Sequence, residues 1–232
     1  MVAVVAVVVV ILALLALHLH ATTNSVASVA GEPILYSQAV GPAKAAQGKM
    51  SGGPWTIDAV VGFGISQSSS GGGGLVNGCT TLWENTSIFL LPATPSNASA
   101  GEVSAWFLVS SNPSGDALMT FVSDLSGSIV ASNGVELQGS CTSTFTELGA
   151  VPTSVVDSST VAQSAAGLGA LSFLSNHPGA STMLGLLGPY WMVELTTCSL
   201  PNPSGSGTEF AALFYASNGT LFLNGGVSQV PC

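Results

Sequence analysis

The sequence predicts an α+β protein of two related lobes, each a helix packed on an antiparallel β-sheet, behind an N-terminal transmembrane helix. Three observations support this fold class: a hairpin pattern that occurs twice, a predicted helix ahead of each copy, and an apolar N-terminal run. Each copy has a Trp that opens an apolar strand, an Asn-Pro-Ser-Gly turn, a second apolar strand, a Gly-centred turn and a third strand. The copies occupy residues 105–135 and 190–227, and Trp106 corresponds to Trp191.

The N-terminal segment has a composition typical of a membrane helix. Residues 2–17 are all apolar, and sixteen residues of helix are about 24 Å long, near the lower limit for crossing a bilayer. No Lys or Arg precedes them, as one would in a signal peptide. We expect residues 1–20 to be an uncleaved anchor, which would place the body outside the cell on a single-pass membrane protein. The alternative is a removed signal peptide and a secreted protein.

The first lobe is predicted to follow a linker at residues 21–32 and to cover residues 33–150. Its helix is predicted at 34–50. A strand with a period of two follows at 55–65, with one face entirely apolar. Asp58 lies on the other face, where we expect it to be solvated.

The second lobe is predicted to cover residues 151–232 and to begin with a helix at 157–176. Asp157, Ser158 and Ser159 are the candidate N-caps for that helix. Asn218 and Gly219 predict a type I′ turn between the last two strands. The tetraglycine run of the first lobe lacks the Lys-Ser/Thr of a phosphate-binding loop, and no cofactor is predicted.

The excess of acidic over basic residues limits the kinds of molecule that the protein can bind. Two residues, Lys44 and Lys49, are basic against eleven acidic ones, giving a formal net charge of −9. Nucleic acid is excluded as a partner because phosphate neutralisation needs clustered basic side chains. Charged residues make up only 6% of the chain, against about a quarter in typical proteins. Few ionisable groups suit a protein that works in acid, and a glycosylated surface is the alternative explanation.

The four cysteines are spaced too widely for a zinc site, so we expect two disulfides. If each hairpin copy closes its own lobe, Cys79 pairs with Cys141 and Cys198 pairs with Cys232. The two other pairings would join the lobes. Three sequons also favour export and glycosylation: Asn85, Asn97 and Asn218.

No residue pattern predicts a catalytic or metal site. His18 and His20 are expected at the membrane interface, and His177 is expected at the end of a helix. The carboxylates that could serve a hydrolase are scattered, with no spacing that brings two together: Asp58, Glu84, Glu102, Glu194 and Glu209.

One pattern spans residues 157–225. A helix is followed by Tyr-Trp-Met-Val at 190–193 and by Tyr-Ala-Ser-Asn-Gly-Thr-Leu at 215–221. This region resembles the PepSY domain, whose members end in Asp-Ala-x-Thr-Gly-x-Val; here the Asp is missing. Residues 33–141 look like a diverged, enlarged copy. The resemblance implies an exported, non-catalytic module, often attached to a membrane segment, that modulates peptidases or binds the cell envelope. The family has no catalytic set to transfer.

Three functions therefore remain open. The first is a membrane-anchored, non-catalytic binding or modulatory module at the cell surface, with a protein partner or a second copy of itself as candidate partners. The second is a structural surface subunit, pilin-like or adhesive. The third is a secreted hydrolase that depends on a pair of carboxylates.

Overall fold

Most of the strands in the described part of the chain form one antiparallel sheet with helices on one face. The computed structural model describes residues 28–64, 82–83, 91–92, 96–135, 149–198 and 205–232, with the backbone alone at 28–29, 82–83 and 91–92. The helices and a short 3₁₀ turn are α1 Tyr36–Gln47, α2 Ser158–Ala166, α3 Ala170–Asn176 and η1 Ala98–Ala100. The strands are β1 Ser28–Val29, β2 Thr56–Gly64, β3 Leu82–Trp83, β4 Leu91–Pro92, β5 Ala105–Ser111, β6 Ala117–Leu125, β7 Ser128–Val135, β8 Ser181–Leu187, β9 Tyr190–Thr196, β10 Ser206–Tyr215 and β11 Leu221–Pro231.

The sheet has nine strands in the order β11-β10-β9-β8-β2-β5-β6-β7-β3, and β1 pairs separately with β4. The prediction of two lobes is wrong, because β2 and β8 pair with each other at the centre of the sheet from Ala59–Leu187 to Gly64–Thr182. Residues before 150 supply one flank and residues after 150 the other. Strand β8 was not predicted from the sequence, because apolar and polar residues do not alternate in its Met-Leu-Gly-Leu-Leu run. Strands that are buried on both faces usually lack this alternation.

The predicted transmembrane helix is not found among the described residues, in which no helix is long and apolar enough to cross a membrane. The segment for which it was predicted, residues 1–20, lies outside the described part of the chain.

The helices agree with the sequence in place but not in length. α1 lies within the predicted 34–50 and continues through Pro42. The second predicted helix is two helices, because Gly167 ends α2 and Gly169 adopts a left-handed φ of 111° before α3. Of the three N-cap candidates, Asp157 is the N-cap of α2, and its side chain accepts a hydrogen bond from the Ser158 amide.

The hairpin repeat is real, and its two tryptophans are equivalent. Trp106 and Trp191 are completely buried on the helix-bearing face, with ring centroids 6.1 Å apart in an edge-to-face contact. Each indole N–H donates to the carbonyl two residues before a helix, Trp106 to Ile34 and Trp191 to Val156, both over 3.0 Å. Tyr36 lies against both rings, at 5.8 and 5.4 Å.

The N-termini of α1 and α2 meet at the same place and share one carboxylate. Asp157 Oδ1 accepts from the amides of Ser158 and Ser37, at 2.8 and 2.9 Å. Its Oδ2 accepts from the Ser37 hydroxyl at 2.7 Å, and the Ser158 hydroxyl accepts from the Tyr36 amide at 3.1 Å. A negative charge at two helix N-termini is favourable for both helix dipoles.

The tight turns differ between the two copies. Ser126 and Gly127 both have positive φ, 56° and 81°, so the turn between β6 and β7 is of type I′. The type I′ turn predicted at Asn218 and Gly219 is instead part of a four-residue loop, closed by a hydrogen bond from the Tyr215 amide to the Thr220 carbonyl. Only Gly219 of that pair has positive φ, 70°.

We predict that Gly62→Ala destabilises the protein. A Cβ at Gly62 would lie 2.6 and 2.7 Å from Trp106 ring atoms and 2.8 Å from Val103. Displacing a buried indole in a packed core costs about 1–3 kcal/mol, which chemical denaturation can measure. Gly179→Ala is the matched control, since its Cβ would meet nothing within 4 Å and should change the free energy of unfolding by less than about 0.5 kcal/mol. Equal effects at the two positions would contradict the packing described.

Candidate functional site

The disulfide predicted for the C-terminal region is confirmed. Cys198, just after β9, is bonded to Cys232, just after β11, with the two Cα atoms 5.4 Å apart. The bond passes over β10 at Gly207, where a Cβ would lie 2.7 Å from both sulfurs. A cross-link that closes a loop of this length stabilises a protein by roughly 3–4 kcal/mol in the chain-entropy model. It also holds the end of the edge strand against its neighbours.

Several sequence-predicted residues lie outside the described residues: His18, His20, Cys79, Glu84, Asn85 and Cys141. Two of the three sequons are described. Asn97 begins the short 3₁₀ turn and Asn218 lies in the loop before β11, and both are exposed. Both sites therefore have the accessibility that glycosylation needs, and their modification remains a prediction.

Glu194 and Glu209 are brought together by the pairing of β9 with β10. Glu194 lies opposite Ala211, and Glu209 lies opposite Thr196. The two glutamates are therefore diagonal neighbours on one face of the sheet, with Cα atoms roughly 7–8 Å apart. Because Trp191 and Phe210 on the same strands face the helices, the pair lies on the opposite face.

Burial raises the pKa of both carboxyl groups. Burial raises the pKa of Glu194 to about 7, and the neighbouring Glu209 charge adds to the effect. Burial also raises the pKa of Glu209. No nearby lysine offsets this, since Lys44 lies on α1 and Lys49 just after it. The sequence did not predict that these two glutamates are neighbours. Their proximity depends on the register between β9 and β10, which the residues between them in the sequence do not encode.

Asp58 lies apart from this pair. It is only 5% exposed, which contradicts the prediction of a solvated position. A register irregularity between Ile57 and Ala59 displaces it from the simple alternation. Burial raises the Asp58 pKa, and hydrogen bonds from Ser111 oppose the rise. Its Oδ2 is buried without a hydrogen-bond partner.

Two further candidate residues, His177 and Glu102, lie where their contacts are part of the fold. His177 ends α3, its amide bonded to the Phe173 carbonyl and its ring 4.7 Å from that of Phe173. Glu102 lies in a tight turn, its amide bonded to the Asn97 carbonyl. No group of three His, Cys, Asp or Glu side chains that could hold a metal ion occurs in the part of the chain that the structure describes.

Three aromatic rings cluster on the same face as the glutamate pair, and we call Tyr190, Tyr215 and Phe222 the aromatic cluster. Tyr190 and Tyr215 are cross-strand partners, with ring centroids 5.7 Å apart. Phe222 stacks on Tyr190 at 4.5 Å and meets Tyr215 at 5.3 Å. Tyr215 is 40% exposed. The Met192–Leu213 pair separates this cluster from Glu194.

The surroundings of the aromatic cluster are apolar and uncharged. Leu223, which follows Phe222 and lies opposite Leu213 on the same face, is 39% exposed, whereas Leu221 lies opposite the core residue Phe214 and therefore on the helix-bearing face. Residues 210–232 contain no acidic or basic side chain. Contiguous exposed apolar side chains usually mark an interaction surface in a soluble domain.

Comparison with known proteins identifies no relative: no family model matches the chain, and no curated protein or solved structure matches it. The resemblance of residues 157–225 to the PepSY domain remains a prediction.

We predict that the glutamate pair makes the protein more stable in acid. The folded-state pKa of Glu194, about 7, lies above its ordinary value of 4.5, so the folded state binds the proton more tightly. The free energy of unfolding should be highest below about pH 4.5 and fall by up to ~3 kcal/mol as the pH rises to about 7.

Glu194→Gln should flatten this dependence, measured by urea unfolding between pH 4 and 8. Glu32→Gln, at an exposed position, is the matched control and should keep the slope. A slope that Glu194→Gln leaves unchanged would show that Glu194 is not the group responsible.

Proposed function

We propose that this protein is an exported, non-catalytic binding module that engages its partner outside the cell through the aromatic cluster and the adjoining Leu223 of β11. The observation that carries the proposal is the position of Tyr190, Tyr215 and Phe222: packed on one another, yet open to solvent at the end of a sheet. Aromatic rings bury much area on binding and lose little side-chain entropy, which is why interfaces are rich in them.

The rigidity of the cluster supports a binding role over a purely structural one. Tyr190 and Tyr215 stand on paired strands, and the Cys198–Cys232 bond ties the other ends of β9 and β11 together. Surfaces that are preorganised in this way lose less free energy on binding than mobile loops. If the rings had only a structural role, they would not need to be exposed to solvent.

Export is supported by the disulfide, because such bonds persist in oxidising compartments outside the cytosol. Exposed sequons at Asn97 and Asn218 are compatible with that location. Attachment to the membrane through residues 1–20 is part of the proposal and rests on their composition.

The partner we propose is neutral at the point of contact. Residues 210–232 carry no charged side chain, and the Met192–Leu213 pair separates the cluster from Glu194, the one charged side chain of β9. A strongly charged partner would find no counter-charge here, whereas an apolar or hydroxyl-bearing surface could pack on the rings. Nucleic acid is disfavoured by the same charge distribution.

The binding proposal predicts site-specific cross-linking. A photoreactive phenylalanine analogue in place of Tyr215, in the full chain expressed in its host, should give a higher-mass adduct on irradiation of intact cells. The matched control carries the analogue at Leu171 on α3, which is 49% exposed on the helical side. No adduct at Tyr215, or equal adducts at both positions, would refute the proposed surface. Mass spectrometry of the adduct would identify the partner.

A second candidate function, a carboxylate-dependent hydrolase, is favoured by one specific observation. Glu194 and Glu209 are neighbours with unequal surroundings, and the pKa of Glu194 is raised to about 7. In a pair of this kind the more strongly shifted carboxyl can donate a proton while the other is ionised and acts as a base or nucleophile.

This candidate predicts hydrolysis with a pH optimum in the acidic range, on glycoside or peptide substrates. Glu194→Gln should lower kcat at least a hundredfold, in line with the loss of a general acid, while leaving cross-linking at Tyr215 intact. Asp116→Asn, at a carboxylate in the turn before β6, is the control and should retain the activity. An activity that survives Glu194→Gln unchanged would exclude the pair as its source.

A further inference from the structure

The two edges of the sheet are built differently. One edge of the sheet ends in β3, of which the structure describes two residues. The other ends in β11, a strand of eleven residues that pairs, among the described residues, only with β10. Short edge strands limit pairing with other chains, whereas a long free edge presents a row of unpaired backbone groups.

β11 also lacks the charges that usually protect such an edge. No Lys, Arg, Asp or Glu occurs along it, and Val227 is 60% exposed. The strand is most regular at its end, where Gly226 to Pro231 pair with Ala211 to Ser206 without a register shift. This segment lies away from the aromatic cluster, at the disulfide end of the sheet.

The register between β10 and β11 determines which backbone groups of β11 point away from β10. The Cys232 amide donates to the Gly205 carbonyl over 2.9 Å, so this pair is of the hydrogen-bonded kind. Since such pairs alternate along antiparallel strands, Val230 and Ser228 also turn their amides and carbonyls towards β10. Val227 and Gln229 therefore direct theirs to the free side. Pro231, which has no amide hydrogen, occupies an outward position where none is needed.

We propose that β11 pairs antiparallel with β11 of a second copy of this chain, about a twofold axis at Ser228. In that register Val227 lies opposite Gln229 of the second copy. Both residues have outward-facing backbone groups, so each of the two symmetric pairs forms two main-chain hydrogen bonds. Ser228 lies opposite its own counterpart, and the two sheets become one.

A second copy is the partner that the charges favour. A twofold contact brings a surface against itself, and with a formal net charge of −9 most self-contacts would bring like charges together. The β11 edge avoids this. The nearest carboxylate, Glu209, lies opposite Ser228 on β10. It would be about three strand spacings, roughly 14 Å, from its symmetry mate, which is beyond the Debye length at physiological salt.

Sedimentation of the full chain tests the proposal. The wild-type protein should self-associate to a dimer and no further, because a twofold contact closes. Val227→Lys should weaken dimerisation at least tenfold, since it places two lysines beside the axis. The position is exposed in the monomer, so folding is retained, which circular dichroism verifies. Leu171→Lys, on α3, is the matched control and should dimerise like the wild type. A wild-type chain that remains monomeric at about 500 μM, well above the dissociation constants of weak specific dimers, overturns the proposal.

The register has its own test. Opposed residues of a non-hydrogen-bonded pair have Cα atoms about 4.5 Å apart, within reach of a disulfide. Ser228→Cys should therefore form a covalent dimer under mild oxidation, and Ser217→Cys, in an exposed loop, should not. Equal dimer formation at both positions overturns the register. Replacing Tyr215 and Phe222 with Ala should leave dimerisation intact, which separates this proposal from the binding function of the aromatic cluster.

Discussion

The contact between Trp106, Trp191 and Tyr36 is the constraint on which the rest of the structure depends. The two indoles meet edge to face at the middle of the sheet, and each fixes the chain just before a helix through an N–H to carbonyl bond. Asp157 then joins the two helix N-termini. Removing Trp191 would take from the Val156 carbonyl the hydrogen bond that the indole donates, and removing Asp157 would take from the Ser37 and Ser158 amides the acceptor that they share.

That junction explains why the two halves do not separate into lobes. β2 and β8 carry apolar side chains on both faces, and each has a second edge that only the other half can pair. Val60 and Leu186 are cross-strand partners and are completely buried. Dividing the chain between them would expose two apolar strand edges at once, which is the arrangement that sheets avoid.

The small number of charged residues affects both the surface and the core of the protein. With two lysines in the chain, Glu194, Glu209 and Asp58 have no nearby cation, so burial raises the pKa of all three. These shifts favour the folded state in acid, in keeping with the habitat that composition suggested. The same scarcity leaves β11 uncharged, and the surface proposed for binding and the edge proposed for pairing lie on the flank that carries the disulfide.

The sequence by itself determined the local features. The hairpin repeat, α1, the capping residues at the start of α2 and the Cys198–Cys232 pair depend on periodicity, on turn residues and on how each cysteine is placed relative to the hairpin copies, all of which can be recognised in the chain. Only the tertiary structure decided that Ser181–Leu187 is a central strand, that Asp58 is buried, that one predicted helix breaks at Gly169 and that Glu194 lies beside Glu209. Each of these depends on which distant segment lies alongside. Local patterns in one chain do not encode that choice, because it is made by burial and strand register between residues far apart in sequence.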